Sequence, residues 1–306
     1  MSAPRHNATA SSCGGVGALT ELADLRHASR VMMARLSSDI ETTLRWCREY
    51  QEAIEGAMGR PIAGCHALEI GPGQWYSQYL YFAKLCRVTA IDLDVLPVGF
   101  DPIGYWRMFR ENGARRVVKT LGRKALGIDR KYFTEYKRQL GVDRLPTPAV
   151  ARMDATRTTF ADNTFDFVYS SSVFEHVPDP ATMLRECARI IRPGGSILTD
   201  LHLYTSDSGN HDPRIISGDR KGLPFWPHLR PAHAGVCRTG AYLNKLRLAE
   251  WHDLFARTLP GTTWTYRLDD HLRPEAEKLR EAGELADYSM DELLTRCAVS
   301  VWRKPD

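Results

Sequence analysis

The spacing of apolar residues along the chain changes repeatedly between a helical period and short continuous runs. From residue 19 to residue 58, apolar positions recur at roughly helical spacing, which predicts a helical segment. Short apolar runs at 66–70 and 88–91 predict two strands, separated by a glycine-containing turn and a helix over 75–85. A strand, a turn, a helix and a second strand form one βαβ unit, so we expect the two strands to be parallel.

The same alternation resumes after a helical interruption at 97–150 that contains several Gly and Pro breaks. The later predicted strands are 165–169, 196–203, 262–268 and 297–303, and the later predicted helices are 180–191, 241–258 and 274–286. Residues 204–240 form one long loop-like stretch rich in His, Pro, Gly and Asp, and loops of that length in compact domains are usually functional or disordered. The pattern therefore predicts an α/β protein.

These segments divide the chain into three parts. Residues 1–18 are rich in Ser, Ala and Gly, which predicts a flexible tail. Residues 19–60 are predicted to form an N-terminal helical cap. Residues 61–306 are predicted to form one domain with a helical insertion at 97–150 and a long loop at 204–240.

Composition narrows the class of protein. Of the 306 residues, 43% are hydrophobic and 25% are charged, and the net charge of +4 is too mild to indicate a nucleic-acid or membrane partner. No apolar run reaches the length of a membrane span and the N-terminus has no signal-peptide core, which predicts a cytoplasmic protein. The seven cysteines form no C-x-x-C pair, so we expect reduced thiols rather than disulfides or a zinc site.

The candidate chemistry begins at the turn between the first strand and its helix, Glu69-x-Gly71-x-Gly73. Glycines let the backbone turn sharply and let a ligand approach closely. Asp92 stands 21 residues after Gly71 at the end of the second strand, where a carboxylate can accept hydrogen bonds from a ribose diol. This pattern alone also fits a nicotinamide-binding site and a purely structural turn.

Several further blocks accompany the turn in a fixed order. The blocks are 68–74, 89–94, 153–155, 163–168, 170–179 and 189–196. With them the chain resembles the class I methyltransferases that use S-adenosylmethionine (SAM), in particular a type 11-like subgroup acting on small molecules. The resemblance implies a doubly wound, Rossmann-like sheet of seven strands with the last strand antiparallel. It also makes 61–306 a SAM-binding domain and 204–240 its substrate-side loop.

The resemblance assigns roles to matching positions. The Gly71–Gly73 turn would pass under the methionine part of SAM, which Glu69 would orient, and Asp92 would bind the ribose hydroxyls. Asp154 would accept a hydrogen bond from the adenine amino group, and Ser170 would lie near the sulfonium. The cofactor-binding residues implied by the resemblance are Glu69, Gly71, Pro72, Gly73, Gln74, Asp92, Leu93, Asp154, Ala155 and Ser170.

Trp75 departs from the family pattern. The family often has a third small residue at this position, and a glycine there permits close packing of the helix on the strand. The Trp75 side chain is therefore expected to point away from the sheet, unless the helix stands off from it.

Two histidines are the candidates for acid–base chemistry. An alcohol acceptor benefits from a positioned base, and imidazole has a suitable pKa. His176 follows the fourth strand and His202 ends the next, at the sheet edge where such folds bind ligands, so both are predicted as catalytic, with a structural role as the alternative for each. Four residues of the following loop could hold a metal, but their spacing matches no metal template, so no metal is predicted: His211, Asp212, His228 and His233.

The acceptor is the least determined part of the prediction. The insertion over Tyr105–Arg144 holds twelve Lys or Arg against four Asp or Glu, which suits an anionic acceptor or simply a solvated face. The polar loop favours O-methylation of a small molecule, with a sugar, glycan or natural product as the leading class. The alternatives are N- or C-methylation of a metabolite, RNA methylation, and a non-catalytic SAM-binding scaffold. The sequence has no appended RNA-binding module, which counts against the RNA alternative. The sequence is compatible with a homodimer.

Overall fold

Seven strands form one sheet within the residues that the computed structural model describes, which are 18–94, 97, 99, 101–220, 222–239 and 241–306. The strands are β1 (His66–Ile70), β2 (Arg87–Asp92), β3 (Val150–Arg152), β4 (Phe165–Ser171), β5 (Ile191–His202), β6 (Thr263–Leu268) and β7 (Thr295–Arg303). Their order is β3-β2-β1-β4-β5-β7-β6, and β7 is antiparallel to both neighbours while the other pairs are parallel. The predicted doubly wound α/β sheet is confirmed.

Helices flank the sheet and fill the insertion. They are α1 (Ala18–Met58), α2 (Ser77–Phe82), α3 (Pro102–Asn112), α4 (Ala114–Ala125), α5 (Ile128–Leu140), α6 (Pro180–Ile190), α7 (Pro213–Ile216), α8 (Leu248–Thr258), α9 (Arg273–Glu281) and α10 (Met290–Leu294). Gly113 and Gly127 have positive φ and separate α3, α4 and α5, so the insertion consists of three short helices. Apart from Ala18, the predicted tail lies outside the described residues. None of the described helices has the length and apolarity to cross a membrane.

Apolar layers cover both faces of the sheet. Ala67 of β1 packs into the layer formed with α1, α2 and α5, whereas Leu68 and Ile70 pack into the layer formed with α6 and α8. Side chains alternate along a strand, so a strand covered on both faces needs apolar residues at nearly every position. This explains why β1 was recognisable as a continuous apolar run.

Two predicted helices are shorter than expected. The helix predicted from residue 75 begins at Ser77, because Tyr76 adopts a left-handed conformation with φ 51. The helix predicted from residue 241 begins at Leu248, because the preceding backbone bonds to the turn after β4. Asn244 donates its backbone N–H to Glu175 O at 2.9 Å and its side-chain amide to Phe174 O at 2.8 Å.

The C-terminal half contains two further corrections. The strand predicted from residue 196 begins at Ile191. Gly194, within this added part of the strand, donates its backbone N–H to Lys304 O at 3.0 Å. The helix predicted over 274–286 ends at Glu281, and α10 follows it. α10 begins with a capping box of Ser289 and Glu292, a sequence signal that the apolar pattern alone did not reveal.

A buried ion pair connects α1 to the sheet. The Arg267 guanidinium of β6 donates to Asp200 of β5 at 2.6 Å and to Glu49 of α1 at 2.8 Å. The Tyr50 hydroxyl donates to the same Asp200 carboxylate, which is 3% exposed. Burial raises the pKa of Asp200, while Arg267 opposes that rise. The long helix is thus joined to two strands through one carboxylate.

Replacement of Arg267 by Met should lower the free energy of unfolding by about 3–5 kcal/mol, because it leaves the Asp200 charge buried without its cation. Adding Asp200→Asn to Arg267→Met should recover part of this loss. Urea unfolding followed by circular dichroism measures both effects. The exposed Arg273 to Asp270 pair gives the control, since Arg273→Met should change stability by less than about 1 kcal/mol. Equal losses of stability in Arg267→Met and Arg273→Met would contradict the assignment of a buried ion pair to Arg267 and Asp200.

Candidate functional site

The carboxyl ends of β1, β2 and β4 meet at one edge of the sheet. Ile70 pairs with Ile91 on one side and with Ser170 on the other, so the predicted cofactor residues that follow these strands are neighbours. The Gly71 N–H donates to Ile91 O at 2.9 Å, and the Ser170 hydroxyl donates to Ile70 O at 3.1 Å. Ser170 is buried and its hydroxyl serves to hold the strand ends together.

The glycine turn combines a crowded position with an open one. Gly71 has φ 73, and a Cβ at this residue would lie 2.3 Å from Val173 Cγ2, so no larger residue fits. Gly73 has φ 62 and faces open space, while Pro72 between them is buried. Both glycines need the left-handed backbone region that other residues rarely adopt. The turn can therefore let a ligand approach its backbone at Gly73.

Trp75 packs against the helical insertion. Its ring lies 4.2 Å from the Tyr132 ring of α5, and the Arg123 guanidinium of α4 lies 4.4 Å above it. Arg123 also donates to Gln74 Oε1 at 2.5 Å. The insertion thus packs directly on the end of the glycine turn.

The acidic residues after β2 and β3 differ in their surroundings. Asp92 Oδ1 accepts the Asp94 N–H at 2.8 Å, and burial raises the pKa of Asp92 to about 6. Asp154 is exposed, and its Oδ1 accepts from both the N–H and the hydroxyl of Thr156 at 2.8 and 2.7 Å. Leu93 is 63% exposed, whereas Ala155 packs against an apolar layer. Asp92 is therefore the better enclosed of the two predicted ligands.

A cavity of about 470 Å³ opens beyond the end of β2. Its charged lining residues are Asp94, Asp101, Arg107, Arg110, Glu111 and Arg152. Arg152 pairs with Glu111 at 3.2 Å, and the three acidic and three basic residues of the lining cancel in formal charge. The described lining of this cavity therefore offers no net positive charge to an anion.

Glu69 lies on the face of the sheet covered by α1. It is 3% exposed, and the Tyr169 hydroxyl donates to its Oε2 at 3.2 Å. Burial raises the pKa of Glu69 to about 8, with the Tyr169 hydrogen bond acting in the opposite direction. The folded protein therefore holds this carboxyl largely protonated at neutral pH.

Both predicted catalytic histidines lie in one cluster beyond β4 and β5. The His211 ring centroid lies 4.8 Å from that of His176 and 4.6 Å from that of His202, so His211 bridges the two. Glu175 Oε1 lies 3.9 Å from His211 Nε2. The sequence had assigned no role to Glu175, although a carboxylate inside the apolar block 173–177 was a usable signal.

The hydrogen bonds of the His176 and His202 rings show which nitrogen of each ring is engaged. His176 Nδ1 lies 2.8 Å from Tyr242 O, and a carbonyl only accepts, so Nδ1 carries a proton and the neutral ring keeps a lone pair on Nε2. His202 Nε2 lies 2.8 Å from the Ser208 hydroxyl. Burial lowers the pKa of His202 to about 3 and of His211 to about 4, so both rings are neutral at physiological pH. A neutral ring with a free nitrogen can accept a proton or bind a metal.

Residues 204–215 and 223–230 of the long loop are mostly packed, whereas residues 231–239 are mostly exposed. Asp212 is fully buried, binds Arg214 at 2.7 Å and accepts the Arg238 N–H at 2.7 Å. Asp207 accepts the Trp226 N–H at 2.7 Å and pairs with Arg220. These two carboxylates hold the loop that carries His211. Among the described residues, the loop candidate that groups with other potential metal ligands is His211, and His228 Nε2 donates to Tyr204 O at 2.7 Å.

Comparison with known proteins gives matches over part of the chain. Residues 112–199 match a family model described as a methyltransferase domain, a range that includes Asp154, Ser170 and His176 but not the glycine turn. The ubiquinone biosynthesis O-methyltransferase of Alkalilimnicola ehrlichii is 30% identical over 175 residues, which is 53% of this chain and 64% of that protein. The phosphoethanolamine N-methyltransferase 2 of Caenorhabditis elegans is 28% identical over 95 residues, or 29% of this chain and 21% of that protein.

Among solved structures, the phosphoethanolamine N-methyltransferase 2 of Haemonchus contortus in complex with SAM aligns with a TM-score of 0.43. The alignment covers 84% of this chain and 53% of that chain at 16% identity. The present chain spans less than two thirds of the length of these relatives.

Stability should depend on pH through Glu69. Because its pKa is raised in the folded protein, its contribution to stability is present below the unfolded pKa and is lost as pH rises from about 4.5 to about 8. Glu69→Gln keeps the Tyr169 hydrogen bond without a titrating group. The free energy of unfolding of Glu69→Gln relative to wild type should therefore increase across this window, by at most about 1.4 kcal/mol per pH unit.

Urea unfolding at pH 5, 6, 7 and 8 measures this difference, and the exposed Glu52→Gln variant is the control. A constant difference between Glu69→Gln and wild type over the whole range would show that Glu69 keeps an ordinary pKa in the folded protein.

Proposed function

We propose, from the class I SAM-dependent methyltransferase domain that this chain contains, that the protein transfers the methyl group of SAM to a hydroxyl of a small molecule. One contact carries this proposal. Val173 packs against Gly71 of the glycine turn, and its carbonyl oxygen accepts the His176 N–H at 2.8 Å. The turn expected to hold the cofactor and the histidine cluster are therefore joined through one residue.

The residues at the strand ends suit SAM. The backbone at Gly73 faces open space, and the Asp92 carboxylate lies beside the turn for a ribose diol. Asp154, Ala155 and Leu93 line the β2 and β3 side, where the adenine would lie. SAM supplies an electrophilic methyl group when bound. The protein's part is to align this group with the acceptor and to manage the acceptor proton.

The histidine cluster is the part of the site that would handle that proton. His176 Nε2 is the atom proposed to accept the hydroxyl proton, because its Nδ1 is engaged by Tyr242 O. His202 lies behind His211 and bonds to Ser208, so a positioning role suits it better than direct proton transfer. We therefore propose His176 as the base and His202 as a positioning residue.

The class of acceptor is proposed from the long loop and from the similar proteins. The His- and Asp-rich loop surrounds the cluster with polar side chains, which suits a hydroxylated molecule such as a sugar, glycan or natural product. The similarity to ubiquinone biosynthesis O-methyltransferases also favours a hydroxyl acceptor. Similarity to a phosphoethanolamine N-methyltransferase keeps N-methylation as the alternative.

Purified protein incubated with SAM and panels of hydroxylated or amine acceptors tests the proposal, with S-adenosylhomocysteine release as the readout. We expect turnover with members of the hydroxyl panel. Turnover confined to amines would favour N-methylation, and SAM binding without turnover on any acceptor would favour a scaffold.

Asp92→Ala should weaken SAM binding by roughly 10- to 100-fold, because it removes charge-assisted hydrogen bonds to the ribose. Isothermal titration calorimetry with SAM measures the effect. Asp162→Ala, at an exposed carboxylate after β3, should bind SAM as wild type does. Unchanged affinity in Asp92→Ala would remove Asp92 from the cofactor site.

His176→Ala should lower turnover by about 10²- to 10⁴-fold, the range typical for loss of a general base. SAM affinity should stay within about twofold of wild type, since His176 lies on the acceptor side. The exposed His271→Ala is the matched control. Full activity in His176→Ala would exclude it as the base.

A further inference from the structure

We propose that Glu175, His176 and His211 bind a divalent transition-metal ion. One potential ligand atom from each residue lies within 4.8 Å of those of the other two. Two imidazoles and one carboxylate, with a coordination position left for water or substrate, form a ligand set found in catalytic zinc sites and other first-row metal sites. The proposal stands apart from methyl transfer itself, but it uses the same Nε2 lone pair of His176, so a bound metal would exclude His176 as the base proposed above.

The unsatisfied carboxylate of Glu175 is the second observation for this site. Glu175 is 3% exposed, and neither of its carboxylate oxygens has a hydrogen-bond partner of good geometry among the described residues, although the backbone N–H groups of Glu175 and His202 are close to the carboxyl. His211 Nε2, 3.9 Å from Glu175 Oε1, is also buried without a partner. Buried polar groups are normally paired, because an unpaired one loses its hydration without compensation. A cation between the two would satisfy both.

The surroundings hold the three ligands in place. Tyr242 O accepts from His176 Nδ1, which leaves Nε2 as the metal-binding atom, and this is the usual arrangement around metal-bound histidines. Asn244 fixes the backbone of Glu175 through a 2.9 Å hydrogen bond. His211 has φ 57 and precedes the fully buried Asp212, whose arginine pairing anchors the loop.

The ligand spacing requires a modest contraction. Tetrahedral ligands about 2.0–2.1 Å from zinc lie roughly 3.4 Å from one another. The Glu175 to His211 separation of 3.9 Å is close to this, and the widest separation of 4.8 Å can close by side-chain rotation. The absence of a metal template in the sequence has a simple origin, since the ligands come from two segments 35 residues apart.

Metal binding by the untagged full chain, stripped with a chelator, tests the proposal. Zn²⁺ is titrated against a chromophoric competitor, and visible absorption is recorded with Co²⁺. We expect one equivalent per wild-type chain, a cobalt spectrum typical of mixed nitrogen and oxygen ligands, and affinity reduced roughly tenfold or more in Glu175→Gln and His211→Ala. His271→Ala, at an exposed histidine, should bind as wild type does.

Thermal unfolding of the metal-free proteins checks that the variants fold. Glu175→Gln replaces a buried carboxylate by a neutral group of the same shape, so it should fold without metal. Zn²⁺ should raise the unfolding temperature of wild type and of His271→Ala but not of the two ligand variants. No stoichiometric binding by wild type, or equal binding by both ligand variants, would overturn the proposal.

Activity measurements then separate this proposal from the proposed function. Turnover that is lost on chelation and restored by Zn²⁺ would support the metal, whereas chelator-insensitive turnover together with no metal binding would leave methyl transfer intact and reject the metal. Metal binding by a protein without methyl transfer on any acceptor would support the metal site and reject the function.

Discussion

The reversal of strand order between β1 and β4 is the constraint on which the whole site depends. β1 pairs with β2 on one side and with β4 on the other, so the connections that leave these strands run to opposite sides and a crevice opens at their carboxyl ends. Gly71 and Asp92 follow the strands on one side of this crevice, and Val173 and His176 follow β4 on the other. The contact between Gly71 and Val173 spans it, which is why a side chain at residue 71 would disturb both halves.

The buried carboxylates at this end of the sheet have three kinds of surroundings. Asp200, Asp207 and Asp212 each have an arginine partner, so their charges are compensated and their role is to join segments of the fold. Among the described residues, Glu175 in the same region has no arginine partner. Glu69 differs again, because the Tyr169 hydroxyl donates a hydrogen bond to its carboxyl. The contrast identifies Glu175 as the carboxylate available to a ligand.

Sequence patterns located most of the sheet because strands covered on two faces need continuous apolar runs. They failed where one residue or one distant contact decides the backbone. Tyr76 shortens α2 through its left-handed conformation, and β3 is too short for a periodic signal. The segment 241–247 has helical amphipathicity but bonds to the turn after β4 instead. The histidine cluster was half predicted, since His176 and His202 follow strands, whereas the proximity of Glu175 to His211 depends on the path of a long loop.

Trp75 joins the glycine turn to the helical insertion. Its indole packs against Tyr132 and Arg123 of the insertion. α5 reinforces this docking, because the Tyr132 hydroxyl lies 2.6 Å from the Ser77 hydroxyl at the start of α2. The insertion is therefore part of the wall around the glycine turn, just as the 204–240 loop is part of the wall around the histidines.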